Sequence, residues 1–471
     1  MRNRNPAILS MSLLLAGCGG GGDGGVSGGG AGAGPVPSLQ TVVYMRKAGG
    51  LQEDIYAVRE DGTALATLAA SADSEIFAGL APDGRVIFMR TTGSGDNNLY
   101  SVKLDGTGVV GLGDTPNSEV VNLTHVPAVT PSGRVVFQRH DFGLSRTDLY
   151  VIGADGTGEV LLAADVMDYF GMTPGGRALF SRSNGIHSVK EDGSDEQTLM
   201  ATAGLVRGIT SSGRVIISSG GDLFSVNDDG SDFKPIANLS GVSESFDAIV
   251  AGDRVVFSRF DGAAHDLFSI RADGTGLATL ANSPDNELYA GAMADGRVVF
   301  TRQADLYIVN ADGTNPVLLA GSSDSEMFEG FLSAGRIVFG RFDGGQTDLY
   351  LVNADGTNEV RLTQTPETEQ LNCPGDSCET PGGRLVFDRR LSGTDVDLYS
   401  INLDGTGETL LASTPGFESV VAIMSGGRIV YSTHDSLAPV SQLDLYSINE
   451  DGTDRRALAD SADSEQFAAV Y

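Results

Sequence analysis

Short apolar segments alternate with polar turns along nearly the whole chain, and the pattern recurs every 37 to 50 residues. Residues 348–352 show the two-residue period of a half-buried β-strand, and residues 86–88 form a short apolar strand. Turn sequences separate such segments, for example 353–356 (Asn-Ala-Asp-Gly) and 82–84 (Pro-Asp-Gly). Four strands fit into each interval. The chain is therefore predicted to be all-β and built from repeated four-stranded antiparallel units.

The number of units and the order of strands at the chain ends predict a closed ring. Each unit is marked by one Asp-Gly turn, at Asp61, Asp105, Asp155, Asp192, Asp229, Asp273, Asp312, Asp355, Asp404 and Asp451. This spacing is typical of β-propeller blades. The first unit begins with its second strand (42–44), and the last unit ends with the missing first strand (465–469). We expect about ten four-stranded blades, closed by pairing of the N- and C-terminal strands. Two smaller propellers in tandem are the alternative.

Acidic residues recur at the start of the first strand of most units, and arginines recur at the end of the second strand. Counting across the connecting hairpin places each acid except Glu418 opposite an arginine, for example Glu75 opposite Arg90 and Asp168 opposite Arg182. Glu465 and Arg46 form such a pair only if the chain ends meet, and Glu418 faces Thr433. The acids are Glu75, Glu119, Asp168, Glu244, Glu287, Glu326, Glu369, Glu418 and Glu465. The expected partners are Arg46, Arg90, Arg139, Arg182, Arg259, Arg302, Arg341 and Arg389.

These acids are candidates for a ring at the mouth of the central channel. Such a ring could collect cations or a basic peptide. Their arginine partners favour the simpler interpretation, in which the pairs hold the register of neighbouring strands. The unpaired Glu418 is the member with most freedom to bind a ligand.

The turn sequences resemble those of a known repeat family. Residues 81–85, 130–134 and 310–314 resemble the Ser-Pro-Asp-Gly and Asp-Gly-Ser/Thr turns of the TolB-like (PD-type, WD-like) β-propeller repeats. The likeness covers residues 41–471. It implies a propeller fold and says little about function. TolB carries an α/β domain ahead of its propeller, whereas here the first blade follows the linker directly, so its partners are not transferred.

The N-terminus predicts export. Arg2 and Arg4 precede a short apolar run at 7–16, and residues 15–18 resemble the bacterial lipoprotein box. The resemblance implies a signal peptide at 1–17, a lipidated Cys18 as the new N-terminus, and an envelope protein anchored in a membrane. Gly19 favours the outer membrane, on its periplasmic or surface face. The alternative is an ordinary signal peptide with an incidental cysteine. Residues 18–40 then form a Gly-rich tether and 41–471 the propeller.

Charge and cysteines restrict the partners. The formal net charge of −31 argues against nucleic acid and against anionic lipid head groups. It indicates either simple solubility or a preference for cationic partners. Cys373 and Cys378 are expected to form a small disulfide-closed loop outside the cytoplasm. We expect no metal site and no cofactor.

No combination of residues in the sequence indicates a catalytic site. The leading hypothesis is a non-enzymatic, membrane-anchored scaffold that binds a protein or peptide in the bacterial envelope. The alternative is an enzyme of hydrolase or lyase type, or a binder of small ligands or cations, working in the channel. That alternative predicts polar residues converging on the inner strands.

Overall fold

The computed structural model describes residues 39–48, 52–113, 115, 117–121, 129–239, 241–373, 378–393, 395–435 and 442–471. The expected signal peptide, Cys18 and the tether up to residue 38 lie outside the described residues.

Within this part of the chain, forty strands form ten four-stranded antiparallel units, which we number as blades 1 to 10; one parallel contact, Val396 opposite Phe417, joins blades 9 and 10 into a single sheet. Blade 1 combines β40 from the C-terminus with β1, β2 and β3, and each later blade uses four consecutive strands. The strands of blades 1 to 5 are β40 (Ser464–Val470), β1 (Thr41–Ala48), β2 (Gln52–Arg59), β3 (Ala66–Ala69); β4 (Ser74–Leu80), β5 (Arg85–Thr91), β6 (Asn97–Lys103), β7 (Val110–Gly113); β8 (Ser118–Val120), β9 (Arg134–Asp141), β10 (Arg146–Gly153), β11 (Val160–Ala163); β12 (Asp168–Met172), β13 (Arg177–Arg182), β14 (Gly185–Lys190), β15 (Gln197–Met200); β16 (Leu205–Ile209), β17 (Arg214–Ser219), β18 (Asp222–Asn227) and β19 (Lys234–Ala237).

Blades 6 to 10 follow the same plan, with one short 3-10 turn (Ser333–Gly335) inside blade 8. Their strands are β20 (Ser243–Val250), β21 (Arg254–Phe260), β22 (His265–Arg271), β23 (Ala278–Ala281); β24 (Glu287–Ala292), β25 (Val298–Arg302), β26 (Asp305–Val309), β27 (Val317–Ala320); β28 (Ser325–Leu332), β29 (Arg336–Phe342), β30 (Thr347–Asn353), β31 (Val360–Arg361); β32 (Thr368–Gln370), β33 (Arg384–Ser392), β34 (Asp395–Asn402), β35 (Thr409–Ala412); β36 (Gly416–Ile423), β37 (Arg428–Asp435), β38 (Leu443–Asn449) and β39 (Arg456–Ala459).

The ring closes through the two ends of the chain, as the strand order predicts. β1 pairs antiparallel with β40, with Val42 opposite Val470 and Arg46 opposite Glu465. Thr41 and Tyr471 exchange two backbone hydrogen bonds of 2.9 Å. The edge of β1 is therefore covered, which removes a site for aggregation. The all-β, end-closed propeller predicted from the sequence is confirmed.

Neighbouring blades pack on each other without a break. First strands contact one another between blades 5, 6, 7 and 8 and between blades 1 and 2, so they surround the centre of the ring. Buried hydroxyls add polar contacts between blades: Ser101 Oγ donates to the backbone oxygen of Ala154 in the next blade at 2.6 Å. Ser447 Oγ makes the same contact with Glu60 across the closure. Continuous packing supports one ring of ten blades and does not fit two separate rings.

The core lies between blades. On the second strand, the residue two positions before the arginine is apolar, and in most blades it is fully buried. Examples are Phe88, Phe257 and Phe339. Burying each of these rings stabilises the fold by about 2–3 kcal/mol. A ring on the third strand stacks on most of them, for example Tyr100 on Phe88 with centroids 5.5 Å apart.

Candidate functional site

The acids at the starts of the first strands meet their arginines in most blades. Arg90 Nε lies 2.9 Å from Glu75 Oε1, and the two residues are directly opposite in the β4/β5 pair. The closure pair Arg46–Glu465 has the same contact at 3.1 Å. The other contacts are Arg139–Glu119 (2.9 Å), Arg259–Glu244 (3.3 Å), Arg302–Glu287 (2.7 Å), Arg341–Glu326 (3.0 Å) and Arg389–Glu369 (2.8 Å).

These acids are buried, so the expectation of an accessible ring at the channel mouth needs correction. Glu75, Glu287 and Glu465 have no exposed surface, and the other glutamates of the set are at most 4% exposed. In seven blades a Ser or Thr hydroxyl four residues earlier donates to the carboxylate, as Ser71 does to Glu75 at 2.6 Å. Carboxylates enclosed in this way hold strands together and do not face solvent cations.

The expected pair of Asp168 and Arg182 is wrong. Asp168 lies opposite Ser181, and Met167 occupies the position of the acid. The first strands of blades 2, 7 and 8 contain a bulge before a glycine, and the acid lies four residues before that glycine. In blade 4 the glycine is Gly171, which leaves Asp168 one residue too late. Arg182 Nε instead donates to the backbone oxygen of Ala164 at 2.9 Å.

Each of the seven arginines paired with a glutamate also covers an aromatic ring of the third strand. Arg389 Cζ lies 4.2 Å from the centroid of Tyr399, a cation–π contact. In blades 3, 4, 8 and 9 a second glutamate, just before the outer strand, binds the free guanidinium edge in a bidentate pair. Arg139 Nη2 thus lies 2.8 Å from Glu159 Oε2. These outer glutamates are Glu159, Glu196, Glu359 and Glu408.

Blade 10 lacks this arrangement around its acid. Glu418 lies opposite Thr433, is 1% exposed, and accepts a hydrogen bond from Thr414. Its Oε2 has no hydrogen-bond partner among the described residues. Burial, together with the nearby carboxylates of Asp397 and Asp395, raises the pKa of Glu418 to about 7.

Three further carboxyls lie on or beside the first strands, and sequence reasoning missed them; Asp388 is buried, whereas Asp247 and Glu329 are half-buried. Asp247 and Glu329 occupy the bulge position of blades 6 and 8, and Asp388 lies on the second strand of blade 9. Burial raises the pKa of Asp247 to about 6 and those of Glu329 and Asp388 to about 7. We call these three residues the inner-wall carboxyls.

Hydrogen bonds hold two of the inner-wall carboxyls, Glu329 across the boundary between blades 8 and 9 and Asp388 within blade 9. Glu329 Oε2 accepts from the backbone N–H of Leu371 at 3.0 Å. Asn372 Nδ2 donates to Asp388 Oδ2 at 2.9 Å, while Asp388 Oδ1 has no partner in the described part of the chain. The signal that could have revealed Asp247 and Glu329 is an acid at the bulge, where blades 1, 2 and 7 carry alanine.

The two faces of the ring carry different turns. One face carries the Asp-Gly turns, and there a hydroxyl two residues later donates to each aspartate; Thr314 Oγ1 lies 2.6 Å from Asp312 Oδ1. This hydrogen bond lowers the pKa of Asp312, so the carboxylate stays ionised. The opposite face carries the turns between second and third strands, and we call it the hairpin face. It exposes large apolar side chains: Phe142 (55%), Leu144 (61%), Phe260 (41%), Phe342 (41%) and Leu391 (45%).

The structure also bears on the predicted disulfide, on metal-binding groups and on membrane-spanning helices. Cys373 and Cys378 form a disulfide. Among the described residues, no three His, Cys, Asp or Glu side chains are grouped so as to hold a metal ion. The same part of the chain contains no helix with the length and apolar character needed to span a bilayer.

Comparisons with known proteins concern the fold. No family model and no curated protein matches the chain. Similar solved structures include Porphyromonas gingivalis dipeptidyl peptidase 4, at 11% identity and a TM-score of 0.47, over 70% of this chain and 58% of that one. A putative TolB from Agrobacterium tumefaciens is 16% identical with a TM-score of 0.29, over 48% and 87%. A Mycobacterium tuberculosis puromycin-hydrolyzing peptidase is 13% identical with a TM-score of 0.35, over 82% and 52%. This chain thus spans little more than half of the two peptidases.

Proposed function

We propose that this protein is a non-enzymatic scaffold that binds another protein or a peptide on its hairpin face. The exposed apolar side chains of that face, led by Phe142 and Leu144, carry the proposal. Exposed aromatic and aliphatic side chains on a rigid support are typical of protein-binding surfaces.

The proposal also covers the cellular location of the protein and the chemical character of its partner. Lipid on Cys18 would hold the ring to the bacterial outer membrane, and residues 19–40 would act as its tether. The acidic chain, at −31 overall, favours a partner with basic residues around an apolar centre.

Affinity capture from solubilised envelopes tests this proposal with matched variants. The double variant Phe142→Ser/Leu144→Ser removes two exposed apolar side chains, and Leu65→Ser removes one that is 59% exposed outside the hairpin face. We expect one stoichiometric partner to be retained by the wild type and by Leu65→Ser and lost by the double variant. Equal capture by all three proteins, or no partner at all, contradicts the proposal.

The inner-wall carboxyls favour a second candidate, a small-ligand binder or acid–base enzyme in the channel. A carboxyl with a pKa near neutrality can exchange a proton at physiological pH, which general acid–base chemistry requires. A screen of hydrolase and lyase substrates with the wild type and Asp388→Asn tests it. Activity that depends on Asp388 supports this candidate, and activity unchanged in the variant removes it.

A further inference from the structure

Blade 7 has an open cavity beside its arginine. The cavity measures about 400 Å³ and lies between the outer strand of blade 6 and the second, third and outer strands of blade 7. Arg302, Tyr307, Pro316 and Leu318 line it on one side, and Asn282 lines it on the other.

Arg302 presents half of its guanidinium without a protein partner. Its Nε binds the buried Glu287 at 2.7 Å, and the side chain remains 28% exposed. Nη1 and Nη2 have no hydrogen bond or ion pair within the described residues. Asp305 lies opposite Arg302 in the strand pair but makes no ion pair with it.

Other blades show what binds this edge of the guanidinium. In blade 8, Arg341 holds Glu326 through Nε and, at the same time, Glu359 through Nη1 at 3.0 Å and Nη2 at 3.3 Å. The same arginine position therefore accommodates two carboxylates at once.

A single residue separates the two blades at this point. Residues 357–360 of blade 8 read Thr-Asn-Glu-Val, and residues 314–317 of blade 7 read Thr-Asn-Pro-Val. Asn358 and Asn315 share the left-handed conformation, with φ of 55° and 52°. The residue before this position thus has the same conformation in both blades, and Pro316 takes the place of the outer glutamate.

We propose that this cavity is a carboxylate-binding site, in which Arg302 receives from a ligand the bidentate carboxylate that Glu359 supplies in blade 8. The ligand carries the carboxylate on a short aliphatic stem, which packs against Tyr307, Pro316 and Leu318. Bidentate geometry selects a planar carboxylate over a neutral amide of the same shape.

Calorimetric titration of the purified full chain tests this site with matched probes. The first pair is N-acetyl-glutamate methylamide against its glutamine analogue. The second pair is an acetylated dialanine with a free C-terminal carboxylate against the same peptide amidated. We expect binding by carboxylate probes only, and the two pairs distinguish a side-chain carboxylate from a chain terminus.

Variants of Pro316 provide the control. Pro316→Glu restores the sequence of blade 8 and is expected to weaken carboxylate binding at least about tenfold, because the new side chain occupies Arg302. Pro316→Ala leaves the cavity open and is expected to bind like the wild type. A higher melting temperature for Pro316→Glu than for Pro316→Ala would show that the introduced carboxylate reaches Arg302. The proposal is overturned if neither carboxylate probe binds, if amides bind equally well, or if Pro316→Glu melts higher yet binds like the wild type.

Discussion

Arg455 lies over Tyr446, with its guanidinium carbon 3.9 Å from the ring centroid. In blade 9 the ring at this position, Tyr399, is covered by Arg389 of the second strand. Blade 10 has Thr433 in place of that arginine, and Arg455 reaches the ring from the segment before the outer strand. Blade 10 therefore retains the cation–π contact, but its arginine lies before the outer strand and not on the second strand.

Replacing Arg455 should destabilise blade 10. Its Nε donates to the hydroxyl of Tyr431 at 2.8 Å, and Tyr431 is fully buried. Arg455→Met leaves that hydroxyl without its donor and removes the cation–π contact, at a cost of about 1–3 kcal/mol. Thermal denaturation measures the loss. Arg456→Met is the matched control because Arg456 is likewise exposed and pairs with Asp454, and among the described residues it has no contact with Tyr431 or Tyr446. Equal effects of the two substitutions would contradict the role given to Arg455.

Glu418 should make stability fall as pH rises. Its pKa of about 7 in the folded protein exceeds the ordinary 4.5, so the folded state holds a proton that the unfolded state has released between these values. Unfolding free energy then decreases by about 1.4 kcal/mol per pH unit across that window and levels off above it. The groups facing Glu418 are the carboxyls of Asp395 and Asp397, the Thr414 hydroxyl and the Tyr431 phenol.

Glu418→Gln isolates this contribution. The amide does not titrate, and the inner-wall carboxyls are present in both proteins, so subtracting the two stability–pH curves removes their common part. We expect the wild type to lose stability relative to Glu418→Gln between pH 5 and pH 7, by at most about 3 kcal/mol. Chemical denaturation at several pH values gives the curves. A difference that does not change with pH means that Glu418 is ionised throughout the range.

Repeat spacing and strand patterns were sufficient to predict the architecture, because each blade carries the same turns and the same buried aromatic position. The pairing of the two chain ends could be predicted for the same reason. The first unit lacks its innermost strand, and the C-terminal strand β40 has the sequence of such a strand. Burial of the acids was not predictable from pairing alone. Glu75 and Arg90 face each other in register, and only packing against the preceding blade decides that the carboxylate has no access to solvent.

Two features of the first strands were missed from the sequence. Asp168 lies 14 residues before Arg182, whereas Glu75 lies 15 residues before Arg90, so Asp168 falls one position past the acid position. The bulge adds one residue to the first strand and so places Asp247 and Glu329 where regular alternation assigns no distinct position. Arg455 was missed because it lies in the segment before the outer strand, whereas the arginine it replaces lies on the second strand.

Reducing the Cys373–Cys378 disulfide should lower the melting temperature modestly. The bond closes a loop with a sequence separation of 5, for which chain entropy gives about 2 kcal/mol. Cys378 is 4% exposed and packs in the core between blades 8 and 9, so the loss should be local to these blades. Calorimetry with and without reductant measures the shift, and the double variant Cys373→Ser/Cys378→Ser should not respond. A wild type that is equally insensitive would show that the bond adds no stability.

The closure pair should contribute as much as an interior pair. Arg46–Glu465 and Arg90–Glu75 share the Nε–Oε1 contact, at 3.1 and 2.9 Å, and both glutamates are fully buried. Double-mutant cycles with alanine should therefore give similar coupling energies, of about 1–2 kcal/mol for each pair. Removing one partner alone should cost more, because a buried charge is left unpaired.

The comparison between the two cycles makes the test specific to the ring. Arg46 and Glu465 are separated by almost the whole propeller in sequence, so their coupling exists only while β1 and β40 are paired. Arg90 and Glu75 belong to one hairpin and report on local structure. Coupling at Arg90–Glu75 without coupling at Arg46–Glu465 would mean that the ring opens at its seam in solution, with β1 exposed as a free edge. Equal coupling would show that the seam is as stable as the interior of a blade.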